Sequence, residues 1–460
     1  MPGTVAAVMG AWGIATPSLN QDEVVTMAAA TRSAEQLART VVNVGSVFPA
    51  YFLGIHEWAQ LAGTSHLALR APSLLAMIGT ASLVSALGQR ADGARAGLLG
   101  GVLFALLPSA SFYAQTARSN SLAVFFVAAS TLLLLVALDK RTRRWWVAYA
   151  AAVTLTGWSH LFALSALASH AVVIAVVTRS QRPPVWKSWL ASVLAASTIV
   201  APVAALGIAK AAQIDWLPLT SADLLGRSVG ALIGAPLVAA VVAALALLGV
   251  GRIRDRPTAW LLGSLAFVPF TLLFVAGSFA HVFHDRYVVF TVVAWSVLAG
   301  IALARARAPM ALAALGLVVV LSASTYVAAR QSGSHGDGGL DTVAAEIARA
   351  AEPGDAIVYA PMGWLRLGID YYLPSEGRPR DAYLLVRPSE RDTFTAAECA
   401  DRRRCLDSAP RVWVVCIGAP SLALDCLGVG AADPLRADYV AGPTSVHDTL
   451  SVTLFTRKSN

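Results

Sequence analysis

Apolar residues along this chain gather into blocks separated by short polar breaks, and the blocks have the length of membrane spans. Ten runs stand out, at about 71–88, 96–112, 121–138, 145–159, 161–178, 188–209, 229–250, 258–280, 287–304 and 309–328. A helix crossing about 30 Å of hydrocarbon needs about 20 residues of this kind. A further stretch, Thr4 to Thr16, is short for a span. It has no basic segment before it and no small-residue cleavage site after it, so it reads as a first helix with its start missing and not as a signal peptide. The pattern therefore predicts an α-helical polytopic membrane protein of about eleven transmembrane helices.

The polar breaks carry a second pattern. With the N-terminus in the cytoplasm, alternate short loops hold Arg90 and Arg95; Lys140, Arg141, Arg143 and Arg144; Arg179, Arg182 and Lys187; Arg252, Arg254 and Arg256; and Arg305 and Arg307. These are fourteen Lys or Arg, against four in the opposite loops: Arg118, Lys210, Arg227 and Arg286. Short cytoplasmic loops are enriched in Lys and Arg, so the bias predicts a multi-pass plasma-membrane protein with a cytoplasmic N-terminus. Composition agrees: 57% of residues are hydrophobic and 13% charged, and mean hydropathy is +0.63. Soluble domains carry about 25% charged residues. The net charge of +8 is largely explained by the loop bias, and no nucleic-acid partner is needed to account for it. Arginine outnumbers lysine 31 to 4.

On this topology two long segments lie outside the cytoplasm. Residues 1–328 form a transmembrane module whose first extracytoplasmic loop is 17–70, and 329–460 form a small C-terminal extracytoplasmic α/β domain. In that domain, the stretch from Asp341 to Pro361 reads as a helix with Asp341 as N-cap and a stripe of Val343, Ile347 and Ala351, then a Pro-Gly turn and a buried strand. RVWVVCI and LSVTLF read as further strands. The Gly- and Ser-rich segment 332–339 reads as a hinge. All four cysteines, Cys399, Cys405, Cys416 and Cys426, fall here, on the oxidising side. They predict two disulfides with three connectivities open; neither spacing is C-x-x-C and no histidine lies close in sequence, which disfavours zinc. The domain has no phosphate-cradling glycine fingerprint, and the chain shows no long-period repeat.

Candidate chemistry gathers on one face. Asp22 and Glu23 follow the first apolar stretch and precede two amphipathic segments suited to the interface, which carry Tyr51, Phe52, His56 and Trp58. A carboxylate at the membrane surface suits general-base work on an acceptor hydroxyl; the alternative is a solubilising or helix-capping pair. Arg118 follows FYAQTA, His160 ends GWSH, and His284, Asp285, Arg286 and Tyr287 form HDRY. Arginine suits phosphate because its planar fork donates two parallel hydrogen bonds and keeps its charge. The alternative is snorkelling to lipid headgroups. His66, His170 and His335 read as structural or incidental.

The order PSLNQDEVVT, P-x-Y-F-L, S-x-x-x-L-R-A-P-S, A-Q-x-A-R-S and D-R-Y-V-V-F resembles the GT-C superfamily of polyprenol-phosphate-sugar glycosyltransferases. The branch it is most similar to includes bacterial mannosyltransferase-like membrane proteins, protein O-mannosyltransferases and lipid A aminoarabinose transferase. The motifs run from about Trp12 to Tyr287. The resemblance implies that Asp22 is the catalytic base with Glu23 beside it, and that Arg118, Arg286 and Tyr287 bind the donor phosphate. Tyr51, His56, His160 and His284 are further candidates for substrate binding. The chain departs from the pattern in its short first span, in Asn120 where relatives often have an aromatic residue, and in Gly45 and Phe48 where many have an Asp and a His.

The implied activity is transfer of a sugar, mannose by resemblance, from a polyprenyl-phosphate donor to an extracytoplasmic acceptor by inverting displacement. Membrane lipid and a glycan, glycolipid or protein acceptor are the partners implied. No cofactor or resident metal is required, although a divalent cation beside Asp22 and Glu23 stays open. Two other readings are a lipid-linked substrate transporter or flippase and an inactive scaffold. Spans nearly free of charge, with polar candidates on one face, favour interfacial chemistry over translocation.

Overall fold

The computed structural model describes residues 1–44, 48–178, 185–253, 255–331, 333–334, 339–407, 409–418 and 424–458. Gly45, Arg179, Arg182, Arg254, His335 and most of the 332–339 hinge lie outside the described residues. The chain divides into two compact units. A helical unit comprises Met1–Ile14, Gly45–Tyr51 and Arg70–Val327, and a sheet unit comprises Ala15–Val44, Phe52–Leu69 and Ala328–Asn460. The chain changes unit between Val327 and Ala328. Most of the first loop, expected to belong with the transmembrane module, instead clusters with the C-terminal segment.

In the helical unit each of the ten apolar runs lies on a helix. Six helices of the described chain are long and apolar enough to cross a membrane, or eight if each of two bent pairs counts as one span. The expected number was about eleven. The remaining runs lie on shorter helices, including Pro2–Ala11 and Val289–Arg305. The bent pairs have local causes. Ala94–Ala105 and Pro108–Ala114 meet at 64°, and Ala222–Ile233 and Pro236–Val250 at 81°. Proline removes a backbone donor and clashes with the preceding turn, so each second helix starts at its proline. Gly234 closes the first helix of the second pair at φ +93°, a conformation that disfavours any side chain. A Cβ there would lie 2.7 Å from the Ser109 backbone nitrogen, so the two breaks abut.

Small residues set the remaining helix contacts, as apolar burial gives little drive where lipid is itself apolar. A Cβ on Gly300 would sit 2.5 Å from the Gly100 Cα, so the helices carrying them touch backbone to backbone. Fully buried Arg70 is satisfied within this unit, its Nη1 donating to the Ile14 carbonyl at 2.7 Å.

Among the described residues the sheet unit has seven strands: β1 (Ala356–Tyr359), β2 (Arg380–Asp381), β3 (Leu384–Val386), β4 (Ala397–Glu398), β5 (Arg411–Ile417), β6 (Tyr439–His447) and β7 (Leu450–Arg457). The main sheet has the order β2-β1-β5-β7-β6, parallel from β2 to β5 and antiparallel from β5 to β6; β3 and β4 form a separate pair. The strands expected from RVWVVCI and LSVTLF are β5 and β7. Strand β6 escaped prediction because Gly442 and Pro443 interrupt it, which an edge strand with a register shift tolerates. The expected helix is Leu340–Ala350, but its N-cap is Gly339, not Asp341, which falls in the first turn.

The first-loop helices Gln21–Ala30 and Ala34–Val44 pack into this same unit. Gly368 lets helix Gly363–Tyr372 approach Gln21–Ala30, since a Cβ there would lie 3.2 Å from Val24. Leu19 N–H donates to the Tyr372 hydroxyl at 2.9 Å, and Arg32 donates to the Thr393 carbonyl. The disulfides are Cys399–Cys405 and Cys416–Cys426, which selects one of the three connectivities.

Candidate functional site

Five of the predicted residues come together in the helical unit. Arg118 sits in the loop between helices Pro108–Ala114 and Asn120–Lys140 and is half-buried. Ser73 Oγ donates to its carbonyl at 3.2 Å, so the L-R-A-P-S motif fixes the backbone of the A-Q-x-A-R-S motif. Gln115 of the second motif is fully buried and donates to the carbonyls of Gly10 and Trp12 at 2.9 and 2.6 Å. Asn120, the departure from an aromatic residue, donates to the Arg286 carbonyl at 3.2 Å. The backbones of the two arginines expected at phosphate are thus held by Ser73 and Asn120, side chains distant from each in sequence.

Aromatic rings join these arginines. Arg118 lies over Phe48 at 5.4 Å, and Phe48 contacts His160 at 5.5 Å. His160 meets Tyr287 at 4.8 Å, and Arg286 lies over Tyr287 at 5.6 Å and over Trp216 at 5.7 Å. Phe162 stacks on Tyr287 at 4.8 Å. His160 is buried, and both arginine charges reach it. Its Nδ1 has no hydrogen-bond partner among the described residues. His284 engages Asp285 and caps the short turn of D-R-Y by accepting from Arg286 N–H at 3.3 Å. Burial opposes the charge of Asp285, but the His284 contact prevails and holds its carboxyl below the usual range.

Two cavities of the same unit share a wall. His284, Asp285, Trp216 and Arg227 line one of about 180 Å³. Val229, Ile233, Phe267, Phe270 and Trp295 are among the lining of an apolar one of about 320 Å³. Helix Ala222–Ile233 contributes Arg227 to the first and Val229 to the second. Its polar and apolar lining positions suit an amphiphile with an anionic head.

The other candidates are placed differently. Tyr51 is buried in the helical unit, while Asp22, Glu23 and His56 belong to the sheet unit. Glu23 is fully buried in a capping box: its N–H donates to Asn20 Oδ1 at 2.9 Å, and its Oε2 accepts from Asn20 N–H at 3.2 Å. Glu23 therefore serves the helix start, the capping alternative allowed by the sequence. Asp22 is half-buried one residue earlier, in the first turn. His56 Nδ1 lies 3.3 Å from the Ala30 carbonyl and ties two helices of its unit. His66 bridges the Ala15 carbonyl and the Tyr372 hydroxyl, and His170 contacts Tyr149 and Thr131, structural roles as expected. No group of three or more His, Cys, Asp or Glu suited to a metal occurs among the described residues.

Sequence reading missed Trp216 and Phe162, which no motif marks, and the supporting work of Ser73, Gln115 and Asn120. Polar residues one to three positions from a motif arginine were the available signal.

Comparisons with known proteins bear on the fold. The family described as dolichyl-phosphate-mannose-protein mannosyltransferase matches residues 46–206. A search of curated protein sequences gives no match. ArnT from Cupriavidus metallidurans in the apo state is similar over 98% of this chain and 96% of its own, with a TM-score of 0.66 at 15% identity. The same protein bound to undecaprenyl phosphate gives 0.64 at 15% identity over 98% and 96%. The archaeal oligosaccharyltransferase AglB from Archaeoglobus fulgidus, in complex with an inhibitory peptide and a dolichol-phosphate, gives 0.52 at 11% identity over 90% of this chain and 69% of its own. The chain has the fold of the GT-C membrane glycosyltransferases, a multi-pass helical module with a small C-terminal sheet domain, and the resemblance read from its motifs is borne out.

Proposed function

We propose that this protein is a membrane glycosyltransferase that takes its sugar from a polyprenyl-phosphate donor. The observation that carries the reading is the cluster in the helical unit, where Arg118 and Arg286 are joined through Phe48, His160 and Tyr287. Two guanidinium groups backed by aromatic rings suit a phosphate diester, and the apolar cavity along helix Ala222–Ile233 suits the first isoprene units of its tail.

In this reading Arg118 and Arg286 hold the phosphate and stabilise the negative charge that grows on it. The acceptor oxygen attacks the anomeric carbon from the face opposite the phosphate. The bond from that carbon to the phosphate oxygen breaks with its electron pair, and polyprenyl phosphate leaves. The acceptor proton passes to a base, a role the family resemblance assigns to Asp22. Phosphate leaves well without protonation, so a second carboxylic acid is unnecessary, unlike the case of glycoside hydrolysis. Glu23, held in the capping box, fixes the turn that presents Asp22. Mannose is the proposed sugar, and the proposed acceptor is extracytoplasmic.

The test uses the full chain in nanodiscs with radiolabelled polyprenyl-phosphate-mannose and membrane lipids. Label should move to a new product with the wild type, and Asp22→Asn should slow transfer by about 10²–10⁴-fold while donor binding stays unchanged. Equal transfer by both removes Asp22 from the base role. Absence of saturable donor binding by the wild type overturns the polyprenyl-phosphate reading.

A further inference from the structure

A further cavity lies apart from the arginine cluster that carries that reading. It is an open groove of about 850 Å³ wholly within the sheet unit. Its size falls in the range of small-molecule sites, about 300–1,000 Å³. One wall comes from the first loop, with Thr31, Arg32 and Gln36; the other comes from residues 366–389 of the C-terminal segment. Eleven of its seventeen lining residues are polar or charged, Tyr371 with its hydroxyl included.

Five of the eleven are arginines, and Asp370 and Asp381 are the acidic residues among the described lining. Arg366 is matched, since it binds Asp381 and Glu398 at 2.6 Å each. Arg378 donates mainly to carbonyls, to Asp370 O at 2.9 Å and Leu373 O at 2.6 Å, and reaches the Asp370 carboxylate only at 3.5 Å. Arg380 donates to the carbonyls of Cys405 and Leu406 and has no ion pair among the described residues. Carbonyl oxygens satisfy the donors and leave the positive charge in place.

Arg32 is the telling case. It is 5% exposed, and its guanidinium donates to the Thr40 hydroxyl and the Thr393 carbonyl under the Phe394 ring at 4.7 Å. The acid that acts on it, Asp392, is already bound by Arg39 at 2.6 Å. Burial pulls the Arg32 pKa below its usual value. A buried cation with no carboxylate bound to it is costly to leave uncompensated. Arg387, exposed at the rim, makes no side-chain hydrogen bond or ion pair among the described residues.

We propose that this groove binds an anionic saccharide, one carrying carboxylate or phosphate groups, and that such a glycan is the acceptor. Arg32 and Arg387 meet its charges. Half-buried Tyr371 offers ring surface to a sugar face, and Thr31, Gln36 and Ser389 offer hydrogen bonds to hydroxyls. The word acceptor rests on the transferase reading; the binding site does not.

The test therefore measures binding without turnover. Full-length protein in nanodiscs of neutral lipid is titrated with a labelled oligoglucuronate, a labelled phosphomonoester oligosaccharide and a labelled neutral oligosaccharide of equal length. At least one anionic probe should bind about tenfold more tightly than the neutral one and weaken with salt. Arg387→Glu should weaken that binding by about tenfold or more, with thermal unfolding unchanged; Arg387→Lys should retain part of it. Equal affinity for neutral and anionic probes, or no effect of Arg387→Glu, overturns the proposal. A repeat in phosphatidylglycerol nanodiscs separates the sources of anion: displacement of the oligosaccharide by that lipid alone assigns the groove to headgroups and also overturns it. Anionic binding with no sugar transfer to any acceptor faults the transferase reading and leaves the groove standing.

Discussion

The two units use arginine in opposite ways. In the helical unit Arg118 and Arg286 lie over aromatic rings, with their backbones pinned by Ser73 and Asn120. In the sheet unit Arg366 is clamped between Asp381 and Glu398, and Arg411 between Asp355 and Glu352. A ring face supports a guanidinium without neutralising it, whereas a carboxylate clamp consumes its charge in holding the fold. The first arrangement suits a ligand; the second suits stability. The basic groove sits in that same sheet unit, and its Arg32, Arg380 and Arg387 have no such clamp among the described residues.

Substitutions test this contrast directly. Arg366→Ala should be the most damaging to folding, because it leaves the shielded Asp381 carboxylate without its cation, while Glu398 keeps Arg402. A loss of about 3–5 kcal/mol is expected, read as a lower unfolding midpoint. Combining Arg366→Met with Asp381→Asn and Glu398→Gln should recover part of it. Arg286→Ala should do the reverse, lowering transfer by about 10²–10³-fold with unfolding unchanged. Arg286→Lys should recover little of that activity, since a point charge does not reproduce the fork. If Arg286→Ala unfolds the protein and Arg366→Ala spares it, the contrast fails.

The smallest effect concerns acid. Burial alone would raise the Asp355 carboxyl, but hydrogen bonds from Arg411, the Glu352 N–H and Trp413 outweigh it and hold the pKa below normal. The unfolded chain then takes up its proton first, near pH 3.9. The stability due to Asp355 is full above that value and is lost as pH falls through the folded pKa. Asp370 has the opposite sign, since burial raises its pKa against the pull of Arg378. Its contribution favours the fold below the unfolded pKa and is lost as pH rises through the folded one. Asp355→Asn should thus flatten the acid limb of a stability–pH curve, and Asp370→Asn should stabilise the protein modestly at neutral pH.

Legibility in the sequence followed the range of the interactions. Hydropathy located all ten long apolar runs, since each is a local property of consecutive residues. It did not foresee how Pro108 and the Gly234–Pro236 corner divide two of them, although both residue types were visible. Strands β5 and β7 were legible in their β-branched content, while β6 was hidden by glycine and proline. Asn20 and Glu23 show the capping-box spacing, a signal passed over in favour of a catalytic pair. The cluster around Arg118 and Arg286 was legible through motif order. The groove was not, because Arg32 and Arg387 are joined only by folding, although the nearby run RPRDAYLLVRPSER is conspicuously basic.

The sheet unit is assembled from both ends of the chain. Leu19 bonds to Tyr372 across 353 residues, and Arg32 to Thr393 across 361. During synthesis the first loop emerges before the helical spans, yet the surface that completes it is made after them. Helix Gln21–Ala30, and with it Asp22, must therefore wait through the insertion of every intervening span before finding its partners. Contacts so distant in sequence are slow to form and leave apolar faces such as Val24 and Met27 open meanwhile. Completion of the sheet unit thus depends on residues that follow the helical spans: a chain stopped before β5 would carry its helices and its arginine cluster, but could not finish the unit that holds Asp22.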